Sequence, residues 1–155
     1  MSDRRVEALN YLENHQVMTL ATSGPQGPWA AAVFYVNFGF ALTFLSSSLS
    51  RHGTDLAADP RCAAAIHEDY RDWREIKGVQ LEGRVRMLSG ARKVGAIARY
   101  GAKFHVVQPG QAPAMIRAAL DKVAWYELVP ERCFFVDNSQ GFGHRDEIPL
   151  QETAD

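Results

Sequence analysis

Residues 79–87 do most to limit what this chain can fold into. Val79, Leu81, Val85 and Met87 fall on one face, and Gln80, Glu82, Arg84 and Arg86 on the other. A period of two with one dry and one wet side is what a half-buried strand requires, and antiparallel sheets supply that environment. Gly83 falls on the dry face, where a missing side chain admits close approach by backbone or ligand.

The rest of the chain repeats the theme in short runs. Residues 3–15 place Val6, Leu9 and Leu12 at helical spacing. Residues 17–22 are β-type and lead into a turn at Ser23-Gly24-Pro25-Gln26-Gly27. A second run, 28–36, ends at Asn37-Phe38-Gly39, and a third, 40–45, is apolar on both faces. These three are expected to form an antiparallel meander. A short helix over 51–59 stops at Pro60, and Ala63-Ala64-Ala65 marks a tightly packed strand over 62–67. Ser89 caps a helix bearing Val94, Ile97 and Ala98, and a shorter helix spans 113–122. Strands at 123–129 and 133–136 flank Pro130, and a polar tail begins at about residue 146. About seven antiparallel strands with short flanking helices give a mainly β chain: a small barrel with helical decoration, one domain over 1–155.

Composition excludes more than it assigns. The formal charge of −1 is well mixed and marks no nucleic-acid or polyanion binder. No apolar run approaches the ~20 residues of a membrane span, and the N-terminus is no signal-peptide core, so a soluble cytoplasmic protein is expected. Cys62 and Cys133 lie in apolar runs and read as buried thiols. No His, Cys and carboxylate cluster supports a metal, and no Ser/His/Asp arrangement is readable.

The chemistry concentrates in Phe44-Leu45-Ser46-Ser47-Ser48-Leu49-Ser50-Arg51-His52-Gly53-Thr54-Asp55-Leu56. Serine hydroxyls donate protons, Arg51 offers a planar fork, His52 adds a switchable charge, and a helix N-terminus follows. That suits a phosphate monoester. A loop with a capping serine and a solvated arginine uses the same residues.

The stretch resembles the phosphate loop of the pyridoxamine 5'-phosphate oxidase-like split β-barrel family, which binds flavin mononucleotide (FMN). Phe44, Ser46, Ser50, Arg51, Gly53 and Leu56 stand at that family's positions. A closer likeness is to an uncharacterised branch whose members are not true pyridoxamine-phosphate oxidases. It rests on Tyr70-Arg71-Asp72-Trp73-Arg74 with the residues around it, and on Gly141-Phe142-Gly143-His144-Arg145. The resemblance implies an FMN-binding split β-barrel and a homodimer with flavin at the subunit interface. The protein would act as an oxidoreductase on a small organic substrate. Ser46, Ser47, Ser50, Arg51 and His52 would hold the phosphate.

Phe34 and Tyr35, after three alanines, would lie along the flavin ring or pack in the barrel. Gln80 would reach the ring edge or face solvent. Trp73, Phe142, His144 and Arg145 would close over the cofactor or touch the partner subunit. Departures from the oxidase count equally. Residues 30–36 carry no cation where the oxidase places Arg and Lys, and His52 stands for the usual Lys. Pyridoxamine phosphate is therefore not the expected substrate. Haem is the alternative cofactor, as some relatives of this barrel bind or degrade it, with His144 the first candidate ligand. A deazaflavin stays open as a third choice.

Overall fold

The computed structural model describes residues 3–105 and 113–151. In chain order the elements are α1 (Asp3–Glu13), β1 (Val17–Gly24), β2 (Gly27–Phe34), β3 (Val36–Phe38), β4 (Ala41–Ser46) and α2 (Arg51–Ala58). There follow β5 (Arg61–His67), β6 (Lys77–Met87), α3 (Gly90–Lys103), α4 (Ala114–Leu120), β7 (Ala124–Asp137) and β8 (Arg145–Glu147).

One antiparallel sheet runs β2-β1-β5-β6-β7-β4-β3, with β8 added to β7. β2 and β3 stand at opposite ends of that order, yet only Tyr35 separates them in the chain. The sheet must therefore curl, into a half-barrel where the strand count implied a small barrel. Tyr35 is the pin at the crossing. Its N–H donates to the Gln16 carbonyl (3.0 Å) and its hydroxyl to the Leu12 carbonyl (2.7 Å).

Two cores result. Inside the curl lie Met18, Leu20, Leu42, Phe44, Ile66, Val79, Leu81, Leu128 and Phe135, with Ala8 and Leu12 of α1 packed against them. Each large side chain removed from water there contributes about 1.5–3 kcal/mol. A smaller core forms where α3 covers the outer face: Val36, Leu88, Ala96, Tyr100 and Trp125. Trp125 and its neighbour Tyr126 are consequently both buried, on opposite faces of β7, Tyr126 stacking on Phe44.

Several expectations are corrected. The meander is two hairpins, β1–β2 and β3–β4, because the run over 28–36 breaks at the crossing. Residues 123–129 and 133–136 belong to one 14-residue strand, β7. Pro130 sits where the β6–β7 register shifts, opposite Gly83. A bulge tolerates a residue without an N–H, so the strand continues through the proline. The expected close approach at Gly83 is there: an added Cβ would stand 2.1 Å from the Val129 carbonyl oxygen.

The alternation in β6 holds until its end, where Met87 is 61 % exposed. In α3 the packed residues are Ala96, Tyr100 and Gly101, leaving Val94 and Ile97 outward, and Ser89 makes no side-chain cap bond. The chain from 146 is no loose polar tail. β8 occupies its start, Ile148 is buried and donates its N–H to the Cys133 carbonyl, and Leu150 packs on the core. Among the described residues no helix is long and apolar enough to cross a membrane.

Candidate functional site

β4 ends at Ser46, and the chain turns through Ser47, Ser48 and Leu49 into α2. Ser50 is the N-cap: its Oγ accepts from the Gly53 N–H (3.1 Å) and donates to the Ser47 carbonyl (2.7 Å). Gly53 is required here, because a Cβ would lie 2.6 Å from the Ser47 carbonyl oxygen. The tight turn brings three expected residues together. Ser46 Oγ lies 2.6 Å from His52 Nε2 and 3.3 Å from Ser50 Oγ. Burial holds the His52 imidazole below its ordinary value, opposed by the Asp55 carboxylate one turn on. Ser47 is exposed, its Oγ accepting from the Leu49 N–H.

Arg51 does not point its fork at this cluster. Its guanidinium lies over the Trp29 ring (4.3 Å to the centroid), and Nη2 donates weakly to the Gln26 carbonyl (3.4 Å). Its Nε is buried with no hydrogen-bond partner among the described residues, a polar group that a ligand could satisfy. Arg51 also lines an open cavity of about 380 Å³ with Pro25, Gln26, Leu49, Thr54 and Asp55. Asp55 itself is buried and accepts from the Thr22 hydroxyl (3.0 Å).

A second concavity, about 340 Å³, lies on the outer face of the sheet. Cross-strand pairing sets its floor: Thr19 opposite Ala65 and Ala21 opposite Ala63, with Ala65 opposite Gln80 in turn. Four short side chains in register leave a shallow trough with flat walls. Gln80 stands exposed along it, as expected, with Phe134 and Arg145 on the far side. The Phe134 ring is flanked by two guanidinium groups, Arg132 at 4.8 Å and Arg145 at 4.6 Å.

Trp73 and Phe142 come together at one corner, their rings edge to face at 5.6 Å. Both are exposed, Phe142 by 85 %. Asn138 holds the two segments: its side chain donates to the Trp73 carbonyl (2.9 Å) and accepts from the Gly143 N–H (3.2 Å). His144 Nε2 lies 3.0 Å from the Asp146 carboxylate.

The two aromatics expected beside the flavin part company. Phe34 is 56 % exposed and tilts against Phe104. Tyr35 is fully buried, its N–H and hydroxyl bonded and the Lys103 ammonium over its ring, so its side chain packs in the barrel. Cys133 is buried and Cys62 half-buried, and desolvation pushes each thiol up to about 12. No metal-binding cluster occurs among the described residues.

The family model described as pyridoxamine 5'-phosphate oxidase matches residues 5–137. The chain belongs to that family. A UPF0306 protein of Photorhabdus laumondii is 30 % identical over 137 residues, covering 87 % of this chain and 88 % of that protein. A solved haem-binding protein from Mycobacterium smegmatis superposes with a TM-score of 0.76 at 26 % identity. That match covers 97 % of this chain, which spans 59 % of the larger protein's length. An FAD-binding protein from Mesorhizobium loti shares the fold at a TM-score of 0.64 and 18 % identity, covering 86 % of this chain and 92 % of its own. The fold thus has flavin-binding and haem-binding neighbours.

Sequence reading missed Trp29, Asp55 and Phe134. Asp55 carried a signal: it lies on the same side of α2 as Leu56, which packs inward, and its partner Thr22 alternates inward with Met18 and Leu20. Trp29 and Phe134 enter only through cross-strand register, which one strand's sequence does not reveal.

Proposed function

We propose that this protein is an FMN-dependent oxidoreductase acting on a small organic substrate, working as a homodimer with the flavin at the subunit interface. One observation carries the reading: Ser46 Oγ, Ser50 Oγ and His52 Nε2 converge at the start of α2, next to an Arg51 whose buried Nε has no partner among the described residues. Such a turn fits a phosphate monoester. Hydroxyls and an imidazole supply short-range donors, the helix start adds backbone N–H groups, and Arg51 adds the fixed charge.

The flavin ring would lie on the outer trough, against Thr19, Ala21, Ala63 and Ala65, with Gln80 at its edge. A second copy would close that trough, since a ring on an open, shallow face stays half in water. Trp73 and Phe142 would meet the partner or the substrate. Arg145 would offer charge to an anionic group on either. Flavin supplies hydride or electron transfer once bound, and the protein's part is to bind, orient and exclude water. β2 carries no cation, which argues against a second phosphorylated molecule such as pyridoxamine phosphate as the substrate.

The absorbance spectrum of the purified protein, before and after adding FMN and desalting, tests this. Retained flavin bands, bleached by a nicotinamide donor and restored by an acceptor, support it. The likeness to a haem-binding protein at 26 % identity favours a second reading. An intense Soret band that disappears in His144→Ala would replace flavin with haem. Bands of a deazaflavin would keep the site and change the cofactor. A colourless protein that retains nothing would leave a scaffold.

A further inference from the structure

Resting on the flavin reading above, we infer that seating a phosphate at Ser46 and His52 takes up one proton on the His52 imidazole. The inference comes from counting hydrogens. Ser50 has committed its one hydrogen, donating to the Ser47 carbonyl at 2.7 Å while accepting from Gly53 at 3.1 Å, so it has none to offer the anion. Its separation of 3.3 Å from Ser46 is long for a bond between hydroxyls. The 2.6 Å contact between Ser46 and His52 Nε2 is the strong one. With Nε2 bare and the ring hydrogen on Nδ1, the Ser46 hydrogen points at Nε2, and Ser46 Oγ shows an arriving phosphate only lone pairs. With Nε2 bearing hydrogen, the bond reverses. His52 donates to Ser46, and the Ser46 hydrogen turns outward to the anion. One proton converts Ser46 from acceptor to donor toward the anion.

A neutral tautomer with hydrogen on Nε2 would also reverse the bond, without added charge. Electrostatics selects the imidazolium. A dianion within about 4–6 Å favours the charged form, and the loop otherwise brings one cation, Arg51, held over Trp29. The groups around His52 agree. α2 presents Asp55, already bonded to Thr22 of β1, and β4 presents Ser46. Asp55 raises the imidazole and burial lowers it, with burial the larger, so the free protein starts with His52 mostly neutral at pH 7. Affinity is then greatest in mild acid. Between the free and bound midpoints it falls by up to about tenfold per pH unit, the slope of one linked proton.

His52 is followed by NMR with and without two probes, FMN and inorganic phosphate, its signal assigned by its loss in His52→Gln. Calorimetry of FMN binding at pH 7.4 in two buffers of different ionisation heat counts protons taken up. The phosphate is then largely dianionic, its second pKa being about 6. Expected are a raised His52 midpoint with both probes, net uptake in the wild type, and none in His52→Gln, whose amide donates to Ser46 at every pH. FMN binding with no uptake, or with equal uptake in His52→Gln, overturns the inference. If FMN does not bind but inorganic phosphate still raises the midpoint, the flavin reading falls and the proton-coupled anion site stands. If neither probe moves it, the inference is wrong.

Discussion

The turn at residues 46–52 and the corner at 137–145 both fold side chains back onto backbone, yet they are held differently. In the turn the serine and histidine side-chain bonds are local, joining residues at most six apart: Ser46 to His52, Ser50 to Ser47, Gly53 to Ser50; the weak bond from Arg51 to Gln26 reaches another hairpin. In the corner the bonds join distant parts of the chain. Arg4 Nη1 donates to Asp137 (2.9 Å), Asn138 donates to Trp73, and the Asn138 N–H reaches the Ile76 carbonyl. Local neutral bonds can be exchanged for bonds to a ligand at little cost to the fold. Long-range bonds to a buried carboxylate cannot, and they fix the platform that presents Trp73 and Phe142 to solvent. One region is built to change its hydrogen bonding, the other to hold still.

Asp137→Ala should break that contrast most severely. It removes the buried one of Arg4's carboxylate partners, leaving Glu7 and Asp146, and frees the Ser139 N–H and hydroxyl, which lie 3.1 and 2.6 Å from the carboxylate. A loss of about 2–3 kcal/mol in urea unfolding is expected, somewhat under a fully buried pair because Arg4 is partly exposed. FMN affinity should be unchanged. The effect has a pH signature. Burial alone would raise this carboxyl, but bonds from Ser139 and Arg4 outweigh it and hold it below the usual carboxylate range. Its contribution is therefore present above the unfolded value of about 3.9 and is lost as pH falls through the folded one. The stability gap between wild type and Asp137→Asn should close in acid.

Arg51→Ala acts on the other region. It should weaken FMN binding by about 1.5–3 kcal/mol in titration, the scale of a charge-assisted contact, and leave riboflavin binding as it was. Ser50→Ala removes the α2 cap and should cost about 1 kcal/mol of stability by thermal melting. Phe142→Ala, at an exposed ring, should shift stability by less than about 0.5 kcal/mol, while, on the proposed oxidoreductase reading, slowing reoxidation or reduction of the FMN-loaded protein.

How much was legible in the sequence follows the same division. The alternation in 79–87 and the Ser-rich turn before a helix are local patterns, and both survive in the structure. Even there the direction of Arg51 was not readable, because Trp29 and Gln26 reach it from another hairpin. The break at Tyr35 and the continuity of β7 through Pro130 depend on which strands lie at the ends of the sheet and where register slips. Those are properties of pairing between distant segments. The motifs at 70–74 and 141–145 were visible separately, but their meeting at the Trp73–Phe142 corner was not.

The most direct test of the central claim compares dissociation constants for FMN and riboflavin on the wild-type protein at pH 7. The two ligands differ only by the phosphate that Ser46, Ser50, Arg51 and His52 are assigned to hold. FMN should bind at least about tenfold more tightly, some 1.4 kcal/mol, and the margin should shrink in Arg51→Ala. Equal affinities for the two ligands would contradict the assignment of residues 46–52 as the phosphate site.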